Sequence, residues 1–347
     1  MRALAVVVGL LTACDPGPPP EPQYPNNGYP QPQYGNPYQQ PYEVPPPSGG
    51  GGGGGGYHYA DPQQPTVDFG EIGKLDSTLV DFEFDGGRLE FELRREGTHV
   101  YQVARNRYMV PVVIAWTISQ LDNVSPMRGT TGVAYLPAAS QPMGKGPAVL
   151  LTELGVVNPT LAYRRNLSFT ARFGDPRAEP TPYAYAFPYA QGQAFNILQG
   201  FHGAFSHRGS NEYAVDFDCP VATTVRAARE GIVVAANARA QGSGTTREFL
   251  EYKRVNFVLV LHDDGTLGEY MHLSPSGVSV HPGQKIGRNG KIGLSGNTGY
   301  SSTPHLHFQV MTAADDGNAA RSFPFQFSIG MDRVVTPIQG KSYLAWE

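Results

Sequence analysis

The sequence predicts a mainly β protein, an N-terminal β-sandwich-like domain followed by a second domain of short strands and tight turns. Three observations carry this expectation. Val80-Asp81-Phe82-Glu83-Phe84 and Leu89-Glu90-Phe91-Glu92-Leu93 alternate apolar and polar residues around Asp85-Gly86-Gly87, the pattern of two half-buried strands joined by a hairpin. Gly283, Gly287, Gly290, Gly293, Gly296 and Gly299 recur every three or four residues, as tight turns between short strands require. Helix signals, meaning caps followed by apolar residues at a 3.6-residue period, are few.

The first element is not globular. Met1-Arg2 precedes a short apolar run, Ala3 to Ala13, which fits the h-region of a signal peptide over residues 1–13. Leu11-Thr12-Ala13-Cys14 resembles a bacterial lipobox, which implies that Cys14 becomes the lipid-modified first residue of a mature lipoprotein. Acylation of Cys14 would leave Cys219 without a disulfide partner. Residues 14–66 are rich in Pro, Gln, Tyr and Gly, with an unbroken glycine run from Gly49 to Gly56. Such a composition buries no core and reads as a disordered tether, spanning on the order of 40 Å as a coil. No run of eighteen apolar residues exists, so no transmembrane helix is expected and the lipid is the expected membrane attachment. The net charge of -4 gives nucleic-acid binding no electrostatic support. The expected location is the cell envelope, facing the periplasm or the exterior.

Residues 67–185 follow as the β-rich accessory domain. Beyond the hairpin, Val110 to Ile118, Gly132 to Leu136 and Ala148 to Leu154 continue as strand segments. Pro111 places its strand at a sheet edge or marks where that strand begins. No acid–base pair or metal-ligand cluster stands out here, so the expected role is positioning or binding of a cell-envelope protein partner.

Residues 190–347 form the last part. Gly231 to Ala236, Phe257 to His262 and His305 to Met311 are strand candidates. Residues 237–256 read as a long surface loop, and the tail beyond about 320 is apolar enough to pack but has no assignable elements. In Thr303-Pro304-His305-Leu306-His307-Phe308-Gln309-Val310, Leu306, Phe308 and Val310 alternate with His305, His307 and Gln309. On a strand the two histidines project to one face, their Cα atoms about 6.5–7 Å apart. That arrangement suits one imidazole bound to metal and a neighbour acting as a base.

Four elements, in order, give that pair its context. They are Ser206-His207 with Tyr213-Ala214-Val215-Asp216-Phe217, then Pro220-Val221-Ala222-Thr223-Thr224-Val225 running on to Gly231-Ile232-Val233-Val234. His262-Asp263-Asp264-Gly265-Thr266 with Tyr270-Met271-His272-Leu273 follows, and Gly283-Gln284-Lys285-Ile286-Gly287 through Ser295-Gly296-Asn297-Thr298-Gly299 leads to His305-Leu306-His307-Phe308. This ordered set resembles the M23 (lysostaphin/LytM-type) zinc metallopeptidases. The resemblance implies that residues 190–347 are an M23-type (LytM-like) catalytic domain of antiparallel β-sheet. It also implies hydrolysis of peptide bonds in bacterial cell-wall peptidoglycan, in stem or bridge peptides.

By the same resemblance, Zn2+ would be held by His207, Asp216 and His307, three protein ligands with a position left open. His305 would act as general base and acid, and His272 would hydrogen-bond the attacking water or the developing oxyanion. Many family members place the first histidine four residues before the aspartate, where this chain has Glu212. His207 lies nine residues before Asp216, so His202 and Glu212 stand as alternative first ligands. Cys219 reads as a small buried thiol, His262 as a turn residue and His281 as surface. A second class of function is a non-catalytic LytM-type activator or scaffold for other wall hydrolases, distinguished by loss of the ligand set. A third is a peptidoglycan-binding module with a structural metal, for which Cys219 would be the fourth ligand.

Overall fold

The computed structural model describes residues 6–9 and 72–346. Cys14 and the whole tether lie outside the described residues. Residues 6–9, within the run read as an h-region, form the strand Val6–Gly9, which pairs in parallel with residues 166–169.

The chain is mainly β, as the alternation predicts. The hairpin strands are Lys74–Phe84 and Gly87–Glu96, and they continue into a five-stranded sheet with His99–Asn106, Ala148–Val156 and Val124–Pro126. Gly86 between them sits at φ +110, a conformation open to glycine and strained for other residues. A second sheet places Val112–Asp122 between Arg164–Phe173 and Thr131–Leu136. Pro111 therefore marks the start of a central strand, where its missing N–H breaks no ladder. The two sheets meet through their apolar faces, with the rings of Phe91 and Phe169 4.5 Å apart and those of Phe82 and Phe173 4.8 Å apart.

The second part is a nine-stranded sheet whose pairings are all antiparallel. Its central run is Gly231–Asn237, Phe257–Leu261, Leu267–Met271, Leu306–Ala313, Val215–Phe217 and Ala194–Gln199. Phe257-Val258-Leu259-Val260 shows why the sequence here is continuously apolar. Phe257 and Leu259 face the accessory sandwich, while Val258 and Val260 face a second core with Tyr185, Phe187, Phe308 and Phe327. A strand covered on both faces loses the alternation that a half-exposed strand shows.

One hydrophobic core runs from the accessory sandwich into this sheet. Phe82, Phe84 and Phe173 pack with Tyr252 and Phe257, the Phe84–Phe257 rings 5.2 Å apart. The hairpin tip docks as well. Asp85 N–H donates to the Ala236 carbonyl at 2.9 Å, the Asp85 carbonyl accepts the Ala236 N–H at 3.0 Å, and a Cβ on Gly86 would lie 2.5 Å from the Val234 oxygen. Residues 72–346 accordingly fall in one compact unit.

One expectation needs correction, and one unassigned segment gains its elements. Residues 237–256 are not simply a surface loop, because Leu250, Tyr252 and Val255 are buried, Tyr252 and Val255 in the shared core. The tail has regular elements: Ala320–Phe323 extends the main sheet, Gln326–Ser328 pairs with Val334–Val335, and Ser342–Leu344 closes the edge beside Ala194–Gln199.

Candidate metal centre

The site is assembled by strand register. Asp216 and Met271 both lie opposite His307, on the two strands flanking Leu306–Ala313. Period-two alternation puts Leu306, Phe308 and Val310 into the second core and leaves His307 on the opposite face with Asp216. His305 precedes the strand in a bridge with Gly296, on the same side as His307. His207 arrives from the loop that follows Gln199, and His272 from the turn after Leu267–Met271.

Each imidazole is oriented by a backbone carbonyl or by the carboxylate. His207 Nδ1 lies 2.8 Å from the Gly200 oxygen, His272 Nδ1 2.7 Å from Thr298 O, and His305 Nδ1 2.8 Å from Thr303 O. A nitrogen facing a carbonyl must carry the proton, so in the neutral ring Nε2 of all three keeps its lone pair. Such outer contacts fix tautomer and ring direction together. His272 reaches its position at φ +63, a backbone cost of roughly 1 kcal/mol or more that persists only where surrounding structure enforces it.

His207, Asp216 and His307 are buried, and each offers a ligand atom within 4.8 Å of the others. His207 Nε2 lies 3.1 Å from Asp216 Oδ2, and His307 Nδ1 3.0 Å from Asp216 Oδ1. The Nε2 atoms of His207 and His307 are buried without hydrogen-bond partners. Orphaned imidazole nitrogens beside a buried carboxylate cost free energy unless something accepts their lone pairs. Two imidazoles and one carboxylate are a donor set that suits zinc with a position left open. The residues present therefore fit a divalent cation.

Burial alone would raise the Asp216 carboxyl, yet the neighbouring His207 and His305 charges and the hydrogen bond from His307 hold it well below the usual range. His207 is raised by the same carboxylate against its burial. His272 is driven well below the usual imidazole value by burial and then by His305 and His307.

His305 Nε2 is 3.8 Å from Asp216 Oδ1, and the His272 and His305 rings are 4.4 Å apart. Asp216, His272, His305 and His307 line one open cavity of about 200 Å³. His202 and Glu212 are placed elsewhere, half-exposed and paired with each other at 3.2 Å. Cys219 is buried in the second core. His262 donates its Nδ1–H to the Glu230 carbonyl at 2.9 Å, and His281 is exposed beside Pro282.

Several contributors were invisible in sequence. Gln199, which touches Asp216, sits in an ordinary-looking strand end. Thr298 and Thr303 act through backbone oxygens, which no residue pattern reveals. Phe205 and Tyr300 stack at the cavity wall with ring centroids 6.2 Å apart.

Residues 210–320 match Peptidase family M23, a segment that opens just after His207. The chain is 40% identical over 124 residues to glycyl-glycine endopeptidase ALE-1 of Staphylococcus capitis, covering 35% of this chain and 31% of that protein. It is 36% identical over 134 residues to lysostaphin of Staphylococcus simulans, covering 37% of this chain and 24% of the relative. With peptidoglycan DD-endopeptidase ShyA of Vibrio cholerae it shares 32% identity over 107 residues, covering 31% and 22%. The matches thus span a third or less of these relatives. Among solved structures, the catalytic domain of lysostaphin from Staphylococcus simulans is similar at 32% identity, covering 40% of this chain and 85% of that one, with a TM-score of 0.26.

Proposed function

We propose that this chain is a zinc-dependent endopeptidase acting on the peptides of bacterial cell-wall peptidoglycan. The observation that carries the reading is the buried His207–Asp216–His307 cluster with two unpartnered Nε2 atoms, opening on a cavity that two further imidazoles line. Its M23 match and peptidoglycan-endopeptidase relatives support the substrate class.

His207, Asp216 and His307 would hold the cation. When bound, zinc polarises a carbonyl and makes water more acidic. The chain's own residues supply the proton traffic. His305, with Nδ1–H committed to Thr303 O, presents the Nε2 lone pair to the cavity and accepts a proton from the attacking water there. The same atom then delivers the proton to the leaving amine, so His305 ends the cycle as it began. His272, with Nδ1–H committed to Thr298 O, has only a lone pair at Nε2, so in its neutral form it accepts a hydrogen bond from the water and orients it.

Cys14, in Leu11-Thr12-Ala13-Cys14, would carry the lipid, and residues 15–66 would let the enzyme reach the wall from the membrane surface. The accessory sandwich would brace the catalytic sheet through the shared core and could present a face to an envelope protein. The test is digestion of purified peptidoglycan sacculi by the protein as prepared, after chelation, and after zinc is restored. New amino termini in the first and third reactions alone are expected. Unchanged sacculi in all three would overturn the reading in favour of a non-catalytic wall-hydrolase activator.

A further inference from the structure

We propose that Gln199 is a positioning residue for the metal centre, one that fixes the Asp216 carboxylate and clamps the His207 loop to it. The inference rests on the metal-site reading above and assigns a role to a residue outside the ligand set.

The placement begins with a break in register. Ala194–Gln199 pairs with Val215–Phe217 so that Ile197 lies opposite Phe217, but the next partner of Asp216 is Gln199, not Leu198. The extra residue is a β-bulge. A bulge rotates the side chain that follows it, and bulges collect beside functional sites for that reason. Without it, Leu198 would stand beside the carboxylate. With it, a primary amide does.

The contacts then determine how that amide points. Gln199 Oε1 accepts the backbone N–H groups of Phe205 at 3.1 Å and Ser206 at 3.2 Å. Only the oxygen can receive two N–H donors, so the NH₂ must face the other way. There it donates to Asp216 Oδ2 at 2.8 Å and to the Ser206 hydroxyl at 3.0 Å. One side chain satisfies both amide N–H bonds, two loop amides and one carboxylate oxygen.

Two consequences follow for the site. Holding Oδ2 at 2.8 Å restricts rotation of the carboxylate about its Cβ–Cγ bond, so both oxygens keep fixed directions toward His207 and His307. The same amide ties down Ser206, the residue before His207, whose own ring is held to Gly200 one residue beyond Gln199. Ligand and ligand-bearing loop are therefore registered to one another through Gln199. Loss of an outer contact of this kind typically costs 10–100-fold in metal affinity.

The experiment measures zinc affinity by competition with a chromophoric chelator, and the visible spectrum of the cobalt-substituted protein. Gln199→Met removes the donor and the acceptor. Gln199→Glu keeps an oxygen for the two loop amides and removes the donor to Asp216, so it holds the loop even where Gln199→Met fails to fold. Ser206→Ala removes the hydroxyl partner and leaves the Gln199–Asp216 contact. Both Gln199 variants are expected to bind zinc at least 10-fold more weakly and to show an altered cobalt spectrum, while Ser206→Ala stays within about twofold of wild type. Gln199→Glu binding zinc as tightly as wild type or tighter, with a native cobalt spectrum, would overturn the assignment. So would an equal loss in Ser206→Ala. Wild-type zinc binding is measured in the same series, so failure of the metal-site reading itself would show as no zinc in any sample.

Discussion

Tyr252 gives the sharpest test of how the fold supports the site. It lies in a stretch rich in charge, Arg247-Glu248-Phe249-Leu250-Glu251-Tyr252-Lys253-Arg254, yet it is 4% exposed. Its ring packs on Phe82, Phe84, Phe173 and Phe257, which come from both the accessory sandwich and the nine-stranded sheet. Removing a large buried aromatic leaves a cavity that costs about 3–5 kcal/mol. The phenol also donates to Glu269 Oε1 at 2.8 Å, a nearly inaccessible carboxylate whose other oxygen is held by Gln309 at 2.6 Å. Loss of one hydrogen bond to a buried charged group adds roughly 1.5–3 kcal/mol. Tyr252→Phe should therefore cost about 1.5–3 kcal/mol, and Tyr252→Ala at least about 3–5, in urea unfolding of residues 67–347. Activity should fall too, because the chain beyond Tyr252 supports His272. Val255 packs against Gly299, and Asn256 N–H donates to Thr298 Oγ1 at 3.0 Å, while Thr298 O holds the His272 ring. A Tyr252→Ala protein within 1 kcal/mol of wild type would refute the reasoning, since the segment would then be a surface loop after all.

Other consequences are independent of that segment. His305→Ala should retain one zinc but lose about 10²–10⁴-fold in peptide hydrolysis; metal loss measured by elemental analysis would instead make His305 a ligand. Burial depresses His262 to about 4, assisted by Arg229 and opposed by the hydrogen bond at the Glu230 carbonyl. The unfolded chain takes up this proton below about pH 6.5 while the folded one resists it. Stability is thus unaffected above pH 6.5 and falls toward pH 4, by up to about 3 kcal/mol. His262→Gln should lose that slope in urea unfolding of metal-free protein, and parallel slopes for the two proteins would count against it. Cys14→Ser should abolish labelling by a lipid precursor and release the protein from the membrane fraction, and a labelled Cys14→Ser protein would exclude the lipobox reading.

The sequence disclosed what period-two alternation and turn chemistry encode. The Asp85-Gly86 hairpin, the strand holding His307 and the ordered string of site motifs were all legible. The union of the two parts through one core was not, because the residues that make it are scattered. Tyr252 is flanked by Glu251 and Lys253, and Phe257 and Leu259 alternate with residues serving the opposite face. Tail strands of two to four residues are too short for any period to register. At the site, residue types were legible where chemistry demands them, as at His305 and His307. Contributions made by backbone oxygens at Gly200, Thr298 and Thr303, and by a bulge at Gln199, depend on chain geometry, which residue identity does not specify.

The most direct test of the metal centre is the zinc content of purified protein alongside His207→Ala and Glu212→Ala. His207 Nε2 is buried without a partner beside Asp216, whereas Glu212 is paired with His202 away from the cavity. One zinc per chain is expected in the wild type and in Glu212→Ala, and loss of zinc in His207→Ala. Full zinc in His207→Ala together with its loss in Glu212→Ala would contradict the metal centre as drawn.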